Sequence, residues 1–241
     1  MAVRTFVIGH KYSQAAKDES HSKSNNTTVR IHFEGSDDII ASVPQYLLLR
    51  FSAAARDKWK DSPPKSASWL ALPMLGIWGP SDEAVRTVLD AMKGSGNNHI
   101  KSLISLDSVR AKGFFFILEV MVTCLCFRLT PQPHELFSWL HEYVCKSPVT
   151  PNELEMLHNL LPLDDDILRA ATWSLAYFEI KNLVPEAQAK DLDDYIYARE
   201  DLWQLYDEQY ERQKTILDRN SAGRKGRKGK TSVVRRRDRR S

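Results

Sequence analysis

Cysteine is scarce in this chain and odd in number: three residues of 241, at Cys124, Cys126 and Cys145. A disulfide framework needs evenly matched cysteines at regular spacing, so this usage fits a reducing compartment. Cys-x-x-Cys does not occur, and neither does Gly-x-Ser-x-Gly, a Gly-rich phosphate loop or His-Glu-x-x-His. The chain therefore shows no nucleophile elbow, no nucleotide cradle and no zinc-hydrolase helix. Long apolar runs are missing as well. The strongest, Gly113 to Phe127 (GFFFILEVMVTCLCF), falls short of the ~20 residues a membrane span requires, and Glu119 interrupts it. It reads as a buried core helix. The opening MAVRTFVIGHKY has too short an apolar stretch for a secretory leader and no small-residue cleavage site. These absences predict a non-enzymatic protein outside the membrane, with no catalytic residues, no cofactor and no metal.

What is present is a sharp division of charge. The chain carries 34 Lys and Arg against 31 Asp and Glu. Residues 221–241 hold ten of the cations and one acid, which leaves 24 basic and 30 acidic residues in the preceding 220. An acidic body thus ends in a polycation. The tail forms two clusters, Arg224, Lys225, Arg227, Lys228 and Lys230, then Arg235, Arg236, Arg237, Arg239 and Arg240. A dense basic run broken by glycine buries nothing, so its role is contact with anions or with a receptor. Two spaced clusters resemble a nuclear-import signal read by the acidic groove of an import carrier. The same charges suit phosphate neutralisation, which makes a nucleic-acid- or ribosome-associated protein the alternative. Arg and Gly without aromatic partners give no base readout, so such binding would be weak and sequence-independent. The expected localisation is nuclear, with the cytoplasm as the alternative.

Along the chain, residues 1–26 are small and polar for most of their length and read as a disordered lead-in. Thr27 to Phe33 alternates, with Val29, Ile31 and Phe33 on one face and Arg30 and His32 on the other, which predicts a half-buried strand. Glu34-Gly35-Ser36-Asp37 has turn composition, and Ile39 to Val43 completes a hairpin. Gln45 to Trp59 switches to helical spacing through Leu48, Phe51, Ala55 and Trp59. Ser68 to Leu75 predicts a third strand, held to an edge by Pro73. Ser81-Asp82-Glu83 opens a helix with Val85, Val88, Leu89 and Met92 on its apolar face, ended by Gly94-Ser95-Gly96. A further short strand is placed at His99 to Ile104. From there the pattern is helical: Ser108 to Phe127, His134 to Val144, a capping box at Thr150-Pro151-Asn152-Glu153, an acidic start at Asp164-Asp165-Asp166, and one long charged helix from Pro185 to about Leu217. Along that last helix Leu192, Tyr195, Leu202, Tyr206 and Tyr210 approximate a stripe that Arg199 interrupts. Strands first and helices after predict an α+β fold, a small N-terminal sheet with packed helices continuing into an all-helical C-terminal half.

That order resembles the BTB/POZ domain, in the degenerate form found in filamentous fungi. The residues that carry the likeness are the paired opening strands, Leu48-Leu49-Arg50-Phe51-Ser52 for the family's Leu-x-x-x-Ser, and Trp69 to Ile77 followed by Pro80-Ser81-Asp82-Glu83-Ala84-Val85. The family's His-Lys pair falls at Pro44-Gln45 here, and its Phe after the Ser falls at Ala55. The resemblance implies a BTB/POZ-like domain over residues 27–145; a helical extension is read over 146–217, and the charge pattern sets a disordered basic tail over 218–241. It implies association with a protein partner or with further copies of the chain, and no cullin-binding motif maps onto it.

Two constellations suggest chemistry at first sight. Cys124, Cys126, Cys145, His134 and His141 have zinc-ligand chemistry, and His141 and Cys145 stand four apart on one predicted helix. Cys-x-Cys within a helix points its thiols roughly 200° apart, however, so buried cysteines acting as small hydrophobes are the preferred reading. Asp164, Asp165 and Asp166 read as a helix cap in preference to a cation site. Trp203, Tyr206 and Tyr210, interleaved with acids, read as a packing stripe.

Overall fold

A computed structural model describes residues 27–61, 68–95 and 103–230, the last ten of these by their backbone alone. The lead-in 1–26, residues 99–102 of the proposed short strand and the second basic cluster lie outside the described residues. Leu103 and Ile104 form a bend, with Ile104 buried.

Three strands form the sheet: β1 (Thr28–Phe33), β2 (Ala41–Pro44) and β3 (Ser68–Leu72), in the order β2-β1-β3. β1 pairs antiparallel with β2, Val29 opposite Val43, and parallel with β3, Ile31 opposite Leu70. The alternation read from the sequence is the alternation of the sheet. Val29 and Ile31 are fully buried, while Arg30 is exposed. Gly35 takes the left-handed conformation (φ 84°) that the turn between β1 and β2 requires.

The helices are α1 (Gln45–Phe51), α2 (Ala53–Lys58), α3 (Asp82–Gly94), α4 (Leu106–Val109), α5 (Gly113–Cys126), α6 (His134–Lys146), α7 (Pro151–Leu160), α8 (Asp166–Ile180), α9 (Glu186–Tyr197) and α10 (Glu200–Lys230). The α+β class, a small sheet followed by helices, stands. Four helix boundaries differ from the sequence expectation, each for a visible reason. The helix expected over 45–59 divides at Ser52, which is extended. Its hydroxyl donates to the Phe127 carbonyl at 2.7 Å and accepts from the Ala55 amide, capping α2. The helix expected over 108–127 breaks at Gly113 (φ 82°), a conformation open to few other residues. The long helix expected after Pro185 breaks between Tyr197 and Glu200, where the Arg199 guanidinium lies 3.6 Å from the Tyr195 ring centre. Its second part then passes the expected end at Leu217, and the boundary set at 218, to reach Lys230.

α5 lies at the centre, with ten of its residues buried. Glu119, the acid in this apolar helix, accepts a 2.6 Å hydrogen bond from Ser81, whose hydroxyl also caps α3. Among the described residues no helix is long and apolar enough to cross a membrane. One continuous cluster of buried side chains runs from Val29 to Tyr206. The capping box at α7 forms in both directions: Thr150 Oγ1 accepts from the Glu153 amide and Glu153 Oε2 accepts from the Thr150 amide at 2.7 Å. Asp165 caps α8 by accepting from the Ile167 amide at 2.8 Å. The link between the sheet and the helical half is tight. Trp78 donates its amide to the Asn159 carbonyl at 2.8 Å, and a Cβ on Gly76 would collide with that same carbonyl oxygen.

Candidate functional site

Three surfaces carry chemistry. The first is the stretch that leaves β3. Trp69, Met74, Ile77 and Trp78 are 42, 44, 64 and 44% exposed, an unusual density of large apolar side chains in ten residues. The sheet positions them. Trp69 stands on the outer face of β3, where the Arg30 guanidinium lies 5.2 Å from its ring centre and His32 meets it edge-on. Beyond Leu72 the chain turns over the end of the sheet, with Gly79 against the Phe33 ring, and then docks on Asn159 through Trp78. Ile77 and Trp78 therefore face outward because the backbone between them and the core is already committed. The opening hairpin and α1 expose Ile39 and Tyr46, a sparser set than the one that follows β3.

The second is a groove of about 510 Å³ lined by Phe137, His141 and Cys145 of α6, Asp166, Arg169, Ala170 and Trp173 of α8, and Gln209 of α10. Phe137, 37% exposed, stacks on the His141 ring and also lines a smaller hollow of about 180 Å³ with Met121, Leu125, Gln132, Pro133 and His134. Cys145 Sγ lies 3.9 Å from His141 Nδ1. Burial pushes the Cys145 thiol up, which leaves it a weak nucleophile at neutral pH. Cys124 and Cys126 are elsewhere, sealed in α5, and burial pushes Cys126 up to about 12. The five-residue zinc constellation is thus divided: the two α5 thiols are core, and His134 lines the smaller hollow rather than the groove. Trp203, expected in a packing stripe with Tyr206 and Tyr210, is 39% exposed, while Tyr206 is buried.

The third is the basic segment. Arg224, Lys225, Arg227, Lys228 and Lys230 sit on the helical backbone of α10, within the last seven described residues; Arg235, Arg236, Arg237, Arg239 and Arg240 lie outside the described residues.

One polar chain runs from a buried histidine to the surface. His158 of α7 is buried, with Nδ1 3.3 Å from the Tyr195 hydroxyl and Nε2 3.3 Å from Asp201 Oδ2. Burial raises the Asp201 carboxyl, but the Leu202 amide and His158 outweigh it and hold Asp201 below the usual carboxylate range. The chain braces α7 against α9 and α10, and His158 does not line either of the two hollows described. No family model, curated protein or solved structure matches this chain.

Proposed function

We propose that this chain is a non-enzymatic interaction module that associates with a second copy of itself through the exposed side of β3 and the segment that follows it. The basic C-terminal segment directs it to the nucleus through an import carrier. The observation that carries the reading is the run Trp69, Met74, Ile77 and Trp78. Four large apolar side chains in solvent are costly alone and are typical interface anchors when paired. Among the described residues β3 is paired on one side only, by β1, so its other edge offers backbone donors and acceptors. A two-fold axis at such an edge sets the same patch against itself, and two copies then satisfy both the edge and the apolar strip. The element order of two strands, a helix pair, a strand and a helix supports the BTB/POZ resemblance, and self-association is what that resemblance implies.

Light scattering of the full chain tests the association. A dimer or larger species is expected at high micromolar concentration, and the double variant Ile77→Ser, Trp78→Ser is expected to run as a monomer with an unchanged circular dichroism spectrum. A strict monomer for the unaltered chain removes the reading. For the tail, removal of residues 221–241 is expected to abolish nuclear accumulation of a fluorescent fusion. If instead the purified chain binds RNA or DNA in a salt-sensitive way that vanishes with the tail, the phosphate-contact alternative takes its place.

A further inference from the structure

Cys145 differs from the other two thiols in being open to solvent, at the last turn of α6 and one turn beyond His141. Residues four apart on a helix share a face, and these two point into the groove between α6, α8 and α10. Their separation is chemically specific. Zinc binds a thiolate sulfur at ~2.3 Å and an imidazole nitrogen at ~2.0–2.1 Å, so tetrahedral geometry holds the two donors about 3.6 Å apart. Sγ and Nδ1 stand 3.9 Å apart, so a few tenths of an ångström of side-chain rotation would close both onto one ion. The stacking of His141 on Phe137 steadies the ring and limits what that closure costs in lost motion. Among the described residues no three His, Cys, Asp or Glu side chains converge to enclose an ion. The chain therefore offers two ligands, and the remaining positions open onto the groove, where Asp166 and Arg169 supply charge of both signs.

We propose that His141 and Cys145 form a two-ligand site for a thiophilic divalent cation of the zinc class, with its other coordination positions open to the groove. This site is independent of the docking surface at β3. In the binding step the Cys145 S–H bond breaks, the proton passes to solvent, and a sulfur–metal bond forms. Neutral His141 donates its Nδ1 lone pair and keeps its proton on Nε2. One proton is released for each ion bound by the thiol form, so affinity climbs as pH rises. Cys124 and Cys126 do not compete, because both are sealed in the core.

Cobalt(II) is the probe, since a cobalt–thiolate bond gives a charge-transfer absorption that aquo-cobalt lacks. Titration of the full chain in mildly alkaline buffer is expected to raise that band and saturate it at one equivalent, with zinc displacing it. Cys145→Ser is expected to abolish the band. His141→Ala is expected to weaken binding by at least roughly the tenfold that loss of an outer-shell partner costs. His134→Ala, outside the groove, is expected to change nothing. Since Cys145 is exposed, the serine variant keeps its fold, which circular dichroism checks. A band that survives Cys145→Ser, or no thiolate band in the unaltered chain at one equivalent, overturns the proposal.

Discussion

Helices α5 and α10 invert each other's design. α5 has fourteen residues, ten of them buried, and packs against α3, α4, α6 and α7. α10 has thirty-one residues, of which Leu202, Tyr206, Gln209 and Gln213 are buried in a stripe against α8 and α9. A helix buried over most of its surface needs apolar residues over most of it, and its single acid must find a donor, as Glu119 does in Ser81. A helix touched on one side needs only a stripe and can carry ion pairs elsewhere, as Arg212 does with Glu208.

The contrast can be broken or sharpened by substitution. The largest effect is expected at the centre of α5. Leu118 is fully buried there, and Leu118→Ala should cost about 2–5 kcal/mol. Urea unfolding should still show one transition by far-ultraviolet and near-ultraviolet signals, because one core spans both halves. Two separated transitions would mean that α5 does not join them. Leu202→Ala, also fully buried but on α10, should cost about 2 kcal/mol, the low end of that range, because fewer elements close around it. Hydrogen exchange should then show α10 amides losing protection while α5 amides keep theirs. Removing the capping box with Thr150→Ala should cost about 1 kcal/mol and speed exchange in the first turn of α7.

The smallest effect concerns acids beside α10. Burial, and then Asp193, raise the Glu179 carboxyl, and burial, then Asp194, raise Asp193. A carboxyl raised by folding favours the folded state below its unfolded value, and that stability is lost as pH rises through the raised value. At neutral pH the charge on Glu179 is therefore a burden. Glu179→Gln should stabilise by no more than about 0.5 kcal/mol there, and the gain should vanish as the pH falls below the ordinary glutamate value of ~4.3. Thermal melts of both proteins across that range measure it.

Much of the fold could be read along the chain because its signals are local. The alternation of Thr28 to Phe33, the reciprocal cap at Thr150 and Glu153, and the apolar face of α3 each depend on residues within one element. The breaks could not. Ser52 ends α1 because its hydroxyl meets Phe127, 75 positions away, and no window on the sequence contains both. The parallel pairing of β1 with β3 also joins residues about forty apart in sequence. The groove was legible in part. The four-residue spacing of His141 and Cys145 shows in the sequence, whereas Asp166, Arg169, Trp173 and Gln209 reach it only through the packing of α8 and α10. The exposure of Ile77 and Trp78 was hidden because it follows from Gly76 being pinned on Asn159, a contact with no signature beyond a glycine.

The reach of α10 has an electrical consequence. Among the residues whose burial is described, Leu217 is the last half-buried one, and the backbone continues helically for thirteen more, to Lys230. At 1.5 Å per residue that is about 20 Å of additional length, roughly two Debye lengths in physiological salt. Charges placed that far along a helix axis are screened by salt water from those at its base, as the top of a mast is from its deck.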